Sequence, residues 1–429
     1  METLRFGSSG ASVELLQLAL QRSGYYHGEL DGVFGSMTLD AVKRFQKNYG
    51  LVVDGIVGIK TWQSLTPYIK GYTKQQIKSG DTFWNLAQKY NTTVRAISTA
   101  NPTLNPIDLP IGKTIAIPFG FDLVPTKIKF TYSLLQYVIE GLQVRYPFIK
   151  KGNIGRSVMG KEIPYLQIGN GLTQVFYNAS HHANEWINTP VLLKFLEDYA
   201  QAYSSGGRIY EFSAVALFAT TRLSIVPMVN PDGVDLVLGA IPRESEYFVK
   251  ANRLAKGYPS IPFPNGWKAN INGVDLNLNY PAKWEEAKKI KYSQGFVKPG
   301  PRDFVGNAPL SEPESRAIYN FTLNNDFVLI LAYHTQGEII FWRFLDFEPK
   351  RAKEIGEMFS ASSGYTLEDT PYASSFAGYR DWFIQNYNRP GYTIETGKGT
   401  NPLPISQFDK IYNDNIGILT IGLTQSLLL

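Results

Sequence analysis

The chain has 429 residues, of which 44% are hydrophobic and 18% charged, with a formal net charge of +5 and no cysteine. This length leaves room for a large domain and one or two small ones, and the lack of cysteine excludes disulfides, thiolate metal sites and a cysteine nucleophile. No dense Lys/Arg tract points to a nucleic-acid partner, and the longest apolar stretch, 214–229, is broken by Arg222 and Pro227, so no membrane partner is expected.

The opening residues Glu2-Thr3-Leu4-Arg5 contain no apolar h-region, so no secretory signal is expected. In the stretch that follows, Asp31-Gly32-Val33-Phe34-Gly35 recurs as Asp54-Gly55-Ile56-Val57-Gly58. The Asp-Gly pairs read as tight turns feeding helices, with Thr38 and Thr61 as N-caps. Val13, Leu16 and Leu20, and then Ala41, Val42 and Phe45, keep helical spacing, which predicts a small three-helix domain over 1–70. With Gly24-Tyr25-Tyr26, Phe45-Gln46 and Thr61-Trp62, this stretch resembles the peptidoglycan-binding domain of bacterial wall hydrolases. The resemblance implies binding to peptidoglycan.

Residues 71–119 read as strand, two helices and strand. Ile77-Lys78-Ser79-Gly80-Asp81-Thr82 turns into a helix carrying Trp84, Leu86, Ala87 and Tyr90, and Thr114-Ile115-Ala116-Ile117 closes the unit. So small a unit has only a marginal core of its own. It is similar to the LysM domain, which binds N-acetylglucosamine-containing glycans, and that resemblance makes Gly80, Asp81, Thr82 and Phe83 candidate glycan contacts.

From 123 to 429, apolar strand-like runs (Val175–Tyr177, Leu223–Pro227, Phe327–Tyr333, Tyr392–Ile394) alternate with helical periods, which predicts an α/β domain with a mixed sheet covered by helices on both faces. His181-His182-Ala183-Asn184-Glu185-Trp186 follows the first run, His334 ends the third and Glu395 ends the fourth. In open α/β sheets, sites form beyond the carboxyl ends of strands. A His and a Glu separated by two residues at a strand-to-helix turn can aim two zinc ligands at one point, since a catalytic zinc takes three protein ligands and keeps one position open. Taken alone, the same four residues read first as a polar turn before a helix.

The wider pattern resembles the M14 zinc carboxypeptidase family. It runs from Gly155-Arg156-Ser157 and Gly160-Lys161-Glu162 through His182–Trp186, Asn230-Pro231-Asp232-Gly233 and Gly273-Val274-Asp275-Leu276-Asn277 to Ser311-Glu312-Pro313-Glu314, His334, Asp381-Trp382 and Glu395. The resemblance implies His182, Glu185 and His334 as ligands of one zinc ion per chain, Glu395 as catalytic glutamate, and Lys268 in the place of an oxyanion-stabilising Arg. His181 reads as a structural or supporting histidine.

Departures from the family pattern bear on specificity. Its exopeptidases clamp a terminal carboxylate with an Asn and the Arg after it, whereas here Asn277 is followed by Leu278. Asn184 stands where a further Arg is expected, and Arg380 replaces a small or apolar residue before Asp381-Trp382. Arg380 is expected to pair with a carboxylate on the amine side of the cut bond, or else to form a structural salt bridge. Tyr372 approximates the family's substrate tyrosine. Two wall-binding modules joined to such a peptidase are similar to γ-D-glutamyl-diaminopimelate endopeptidases, which implies hydrolysis of the γ-D-Glu–meso-diaminopimelate bond in peptidoglycan stems by metal-activated water. The alternatives are a carboxypeptidase trimming stems from the free end and a non-catalytic wall-binding protein. Action at the cell wall without an evident signal is consistent with release on mother-cell lysis during sporulation.

Overall fold

A buried glutamine closes each Asp-Gly repeat of the N-terminal stretch. Gln17 accepts from Gly32 N at 2.9 Å and donates to Asp31 Oδ1 at 2.7 Å, and Gln46 does the same with Gly55 at 2.9 Å and Asp54 at 2.9 Å. Gly32 and Gly55 sit at φ +69° and +73°, a region glycine enters without steric cost. Three helices result: α1 (Ala11–Arg22), α2 (Ser36–Asn48) and α3 (Ile59–Lys70). Thr38 and Thr61 are not the N-caps. Gly35 and Gly58 hold those positions, and the two threonine hydroxyls point inward to Gln17 and Gln46 at 3.2 and 3.4 Å.

The computed structural model describes residues 2–429, Met1 lying outside the described residues, and the chain divides into units 1–149 and 150–429. The first unit continues with antiparallel strands β1 (Tyr72–Gln76) and β2 (Thr114–Pro118) flanking α4 (Phe83–Lys89) and α5 (Val94–Ala100). Ile77, Phe83, Leu86, Ile97, Ile115 and Ile117 form their shared core. Helix α6 (Tyr132–Arg145) also belongs to the first unit, so residues 123–149, assigned above to the third module, group by contact with the N-terminal segments.

The second unit begins with β3 (Lys150–Arg156), β4 (Glu162–Ile168) and β5 (Thr173–Ala179), then α7 (Asn188–Ser205) and a short hairpin, β6 (Arg208–Ile209) and β7 (Phe212–Ser213). Next come α8 (Ala214–Thr220), β8 (Thr221–Val226), α9 (Pro231–Val237), α10 (Glu246–Ala255), α11 (Trp284–Ser293) and α12 (Pro313–Leu323). The last elements are β9 (Phe327–His334), β10 (Ile339–Phe341), α13 (Ala352–Ser363), β11 (Thr366–Glu368), α14 (Tyr379–Tyr387), β12 (Gly391–Glu395) and α15 (Phe408–Ser426). They form one eight-stranded mixed sheet ordered β11-β10-β12-β9-β5-β8-β4-β3.

Helices cover both faces of this sheet, as adjacent residues of β5 record. Phe176 packs among Phe321, Phe327 and Tyr379 on one side, while the Tyr177 hydroxyl donates to Leu419 O of α15 on the other at 2.8 Å. The four central strands β8, β5, β9 and β12 run parallel, which brings their carboxyl ends to one edge. Among the described residues no helix is long and apolar enough to cross a membrane.

Candidate active site

Strand register places the site. Ala179 at the end of β5 pairs with Tyr333 of β9, and His334 of β9 pairs with Glu395 of β12. Beyond β5, His182 precedes a single 3-10 turn, Ala183–Glu185, that carries Glu185 back over the strand ends. One ligand atom each from His182, Glu185 and His334 then lies within 4.8 Å of the others. His182 Nδ1 is 2.9 Å from Glu185 Oε1, His334 Nδ1 is 2.9 Å from Glu185 Oε2, and the two Nδ1 atoms are 3.2 Å apart.

This donor set fits zinc. Two imidazole nitrogens bound tetrahedrally at about 2.0–2.1 Å would be separated by roughly 3.4 Å, close to the spacing seen. His182 Nε2 faces Asp275 Oδ1 at 3.0 Å, which fixes the ring and turns the Nδ1 lone pair toward Glu185. The surroundings also favour a cation. Burial acts to lower the His182 pKa, yet the Glu185 and Asp275 carboxylates outweigh it and lift it to about 9. His181 points elsewhere: its Nε2 meets the Tyr280 hydroxyl at 3.0 Å, and burial holds its pKa well below the usual range.

Glu395 faces the same space. Burial first, and the Glu185 charge second, push its carboxyl up to about 8, while Lys268, His182 and Arg380 pull the other way. Lys268 Nζ lies 3.2 Å from Glu185 Oε1. Burial disfavours that ammonium, but Glu185 outweighs it and the Lys268 pKa stands above the ordinary value.

Two openings meet at these groups. One is a cavity of about 210 Å³ lined by Asn277, Leu278, Arg380 and Thr393 together with Lys268 and Glu395. The other is a broader groove of about 940 Å³ that shares Lys268 and Glu395 and is walled by Asn184, Thr335, Gln336 and Asn401. Arg380 is almost fully buried, with Nε 3.1 Å from Asp381 Oδ1 and Nη2 bonded to Asp381 and to Thr370 Oγ1. Its Nη1 has no partner. The expected salt bridge is therefore present, and one donor is left over at a residue lining the cavity. Asn277 Oδ1 accepts from Tyr379 N at 3.1 Å, and Asn184 donates to Asn265 O at 3.1 Å while its own Oδ1 is unpartnered.

Two of the expected contact residues differ in exposure. Tyr372 is 66% exposed, packs edge-on against Phe376, and is not among the residues lining either opening. Phe83 is 2% exposed inside the β1–β2 core, so its ring is not available to a glycan, whereas its neighbour Trp84 is 67% exposed. Thr82 and Asp81 perform local work, Thr82 capping α4 and Asp81 accepting from Lys78 N at 2.8 Å, beside Gly80 at φ +86°. Sequence reasoning assigned no role to Asp275, although its place two residues before Asn277 in a strand-like Gly-Val-Asp run was a usable signal.

Residues 135–417 match the model of the family described as zinc carboxypeptidase, 9–65 that of a peptidoglycan-binding domain described as putative, and 76–118 that of the LysM domain. The chain is 46% identical over 301 residues to gamma-D-glutamyl-L-diamino acid endopeptidase 1 of Lysinibacillus sphaericus, covering 70% of this chain and 74% of that protein. A stretch of 98 residues is 41% identical to the spore cortex-lytic enzyme of Bacillus subtilis, covering 21% of this chain and 32% of that one. Among solved structures, carboxypeptidase A from Helicoverpa armigera superposes with a TM-score of 0.53 at 20% identity, over 71% of this chain and 75% of that one, which establishes a carboxypeptidase-like fold.

Proposed function

Because the chain belongs to the zinc carboxypeptidase family, we propose that it hydrolyses the γ-D-Glu–meso-diaminopimelate amide of peptidoglycan stem peptides, with one zinc held by His182, Glu185 and His334. The N-terminal modules bind the glycan strands, and tethering of this kind raises the local concentration of stems at the active site. The similarity of a 98-residue stretch to a spore cortex-lytic enzyme supports action at the wall or the spore.

Leu278 carries the choice of bond. An exopeptidase of this family needs a cation at that position, and an apolar side chain lining the cavity cannot clamp a terminal carboxylate. The name of the Lysinibacillus relative supports a γ-D-glutamyl linkage.

Bound at the three ligands, zinc would supply Lewis acidity toward the scissile carbonyl and lower the pKa of water to roughly 7. The chain's own groups do the rest. Glu395 takes a proton from the attacking water at a carboxylate oxygen and returns it to the leaving amine nitrogen. A raised pKa suits that two-way role, because the group must both accept and release a proton. Lys268 presents an ammonium to the oxygen on which negative charge develops. Asp275 holds the His182 ring in position, and Arg380 offers Nη1 to a carboxylate on the amine side.

The test is mass analysis of stem peptides with free and with amidated C-termini. The proposal expects cutting after γ-D-Glu in both. Cleavage confined to the free-ended peptide would make the enzyme an exopeptidase.

A further inference from the structure

Arg302 lies in the walls of both openings, beside Lys268 and Glu395 in each. Among the other cations of the smaller cavity, Lys268 pairs with Glu185 and Lys291 with Asp303 at 2.7 Å, while Arg380, paired with Asp381, keeps only Nη1 free. Arg302 uses only Nε, which meets Asp303 Oδ2 at 2.5 Å. Among the described residues its Nη1 and Nη2 have no hydrogen-bond partner, and the side chain is 41% exposed. An arginine anchored through Nε and open at both Nη atoms presents the fork that a carboxylate accepts in bidentate fashion.

The anchor is firm. Lys291 and Arg302 take different oxygens of the Asp303 carboxylate, and Asp303 N donates to Asp275 Oδ2 at 3.2 Å. Asp275 Oδ1 faces His182 Nε2, so one carboxylate sets both the His182 ring and the backbone that carries Arg302. Asp303 adopts φ +64°, a conformation unusual outside glycine and better tolerated by Asp than by most residues. The guanidinium is thereby held in a fixed relation to the metal ligands.

We propose that Arg302 is a specificity-determining residue that binds the free α-carboxylate of the γ-linked D-Glu, on the acyl side of the scissile amide. This rests on the stem-peptide reading above. One substrate group beside the scissile bond carries the required chemistry without marking a chain end: the α-carboxylate left free by a γ-linked D-Glu on the acyl side. The α-carboxylate at the amide-bonded centre of diaminopimelate is the C-terminus of the tripeptide, which an endopeptidase does without.

The test uses the full-length zinc-loaded protein and three peptides: L-Ala-γ-D-Glu-meso-diaminopimelate, the same peptide amidated at the Glu α-carboxylate, and the same peptide amidated at that diaminopimelate carboxylate. Arg302→Gln is expected to lower kcat/KM for the unmodified peptide about 10- to 100-fold, the size of a charge-assisted contact. It should have little effect on the peptide amidated at the Glu α-carboxylate and its full effect on the one amidated at diaminopimelate, and Arg302→Lys should recover part of the loss. Affinity of the unmodified peptide for the Glu395→Gln protein should weaken by a similar factor when Arg302→Gln is added. Equal losses on all three peptides, no loss on any, or a loss abolished only by amidating diaminopimelate would overturn the assignment. If the parent protein cleaves none of the peptides and its Glu395→Gln form binds none, the stem-peptide reading fails and the assignment goes with it.

Discussion

Glu395 and His334 are register partners on adjacent parallel strands, the last residues of β12 and β9. A backbone ladder thus sets the spacing between a metal-ligand candidate and the candidate base. Thr396 N donates to His334 O at 2.9 Å just beyond the pair, and Asn188 at the start of α7 donates to the same carbonyl at 2.9 Å. The strand ends are tied from both sides, so neither side chain depends on a mobile loop for its position.

Asp275→Asn tests how the His182 ring is held. The amide can still meet His182 Nε2 but carries no charge, so zinc affinity should fall about 10- to 100-fold. Competition with a chromophoric chelator measures this, and an unchanged affinity would remove Asp275 from the metal site.

Lys268→Met should reduce kcat by about 10²–10³-fold, the usual effect of losing one oxyanion-stabilising group, with a smaller change in KM. Its pH profile carries a sign. Glu395 must be ionised to accept a proton, so activity rises with pH through its pKa, and Lys268 is one of the charges that lowers that pKa. Without the ammonium, the acidic limb of kcat/KM should move to higher pH. A shift to lower pH would contradict the assignment of that limb to Glu395.

Arg380→Ala should raise KM for diaminopimelate stems far more than for lysine stems, since only the former carry a side-chain carboxylate for Nη1. Asp381 is left buried without its charge partner, keeping only the Gly378 N–H, so Tm should fall as well. The ratio between the two substrates, measured on folded protein, separates recognition from stability. Equal effects on both would leave Arg380 a structural residue.

Glu314 gives a pH dependence of stability. Burial raises its carboxyl from the ordinary 4.5 to about 7, although Val158 N and the Asn270 amide donate to it. Between those values the folded chain retains a proton that the unfolded chain has lost. Its contribution is therefore full below the lower value and lost as pH rises through the upper one. Glu314→Gln should flatten the fall in urea midpoint between pH 5 and pH 8, while lowering stability at acidic pH because the new amide meets a donor. An unaltered slope would count against a buried neutral Glu314.

The parts of this site legible in the sequence depend on short-range geometry. His182 and Glu185 are separated by a single turn, and His334 and Glu395 each end an apolar run, so their meeting follows once those runs become adjacent parallel strands. Side-chain direction was harder to read. Phe83 and Trp84 are neighbours of similar character, and the angle at which α4 leaves its turn decides which one enters the core. Thr38 looked like a cap because it follows a turn, but the helix starts two residues earlier and its hydroxyl is taken by Gln17 from another helix. Arg302 gave no local signal, because its role depends on Asp303 being tied to Asp275 from a distant loop.

The most direct measurement is mass analysis of L-Ala-γ-D-Glu-meso-diaminopimelate digested by the full-length protein, by the protein stripped with chelator, by the stripped protein with zinc restored, and by Glu395→Gln. The account predicts L-Ala-D-Glu and free diaminopimelate from the first and third reactions and intact peptide from the second and fourth. Undiminished cleavage after exhaustive chelation, or full activity in Glu395→Gln, would contradict it.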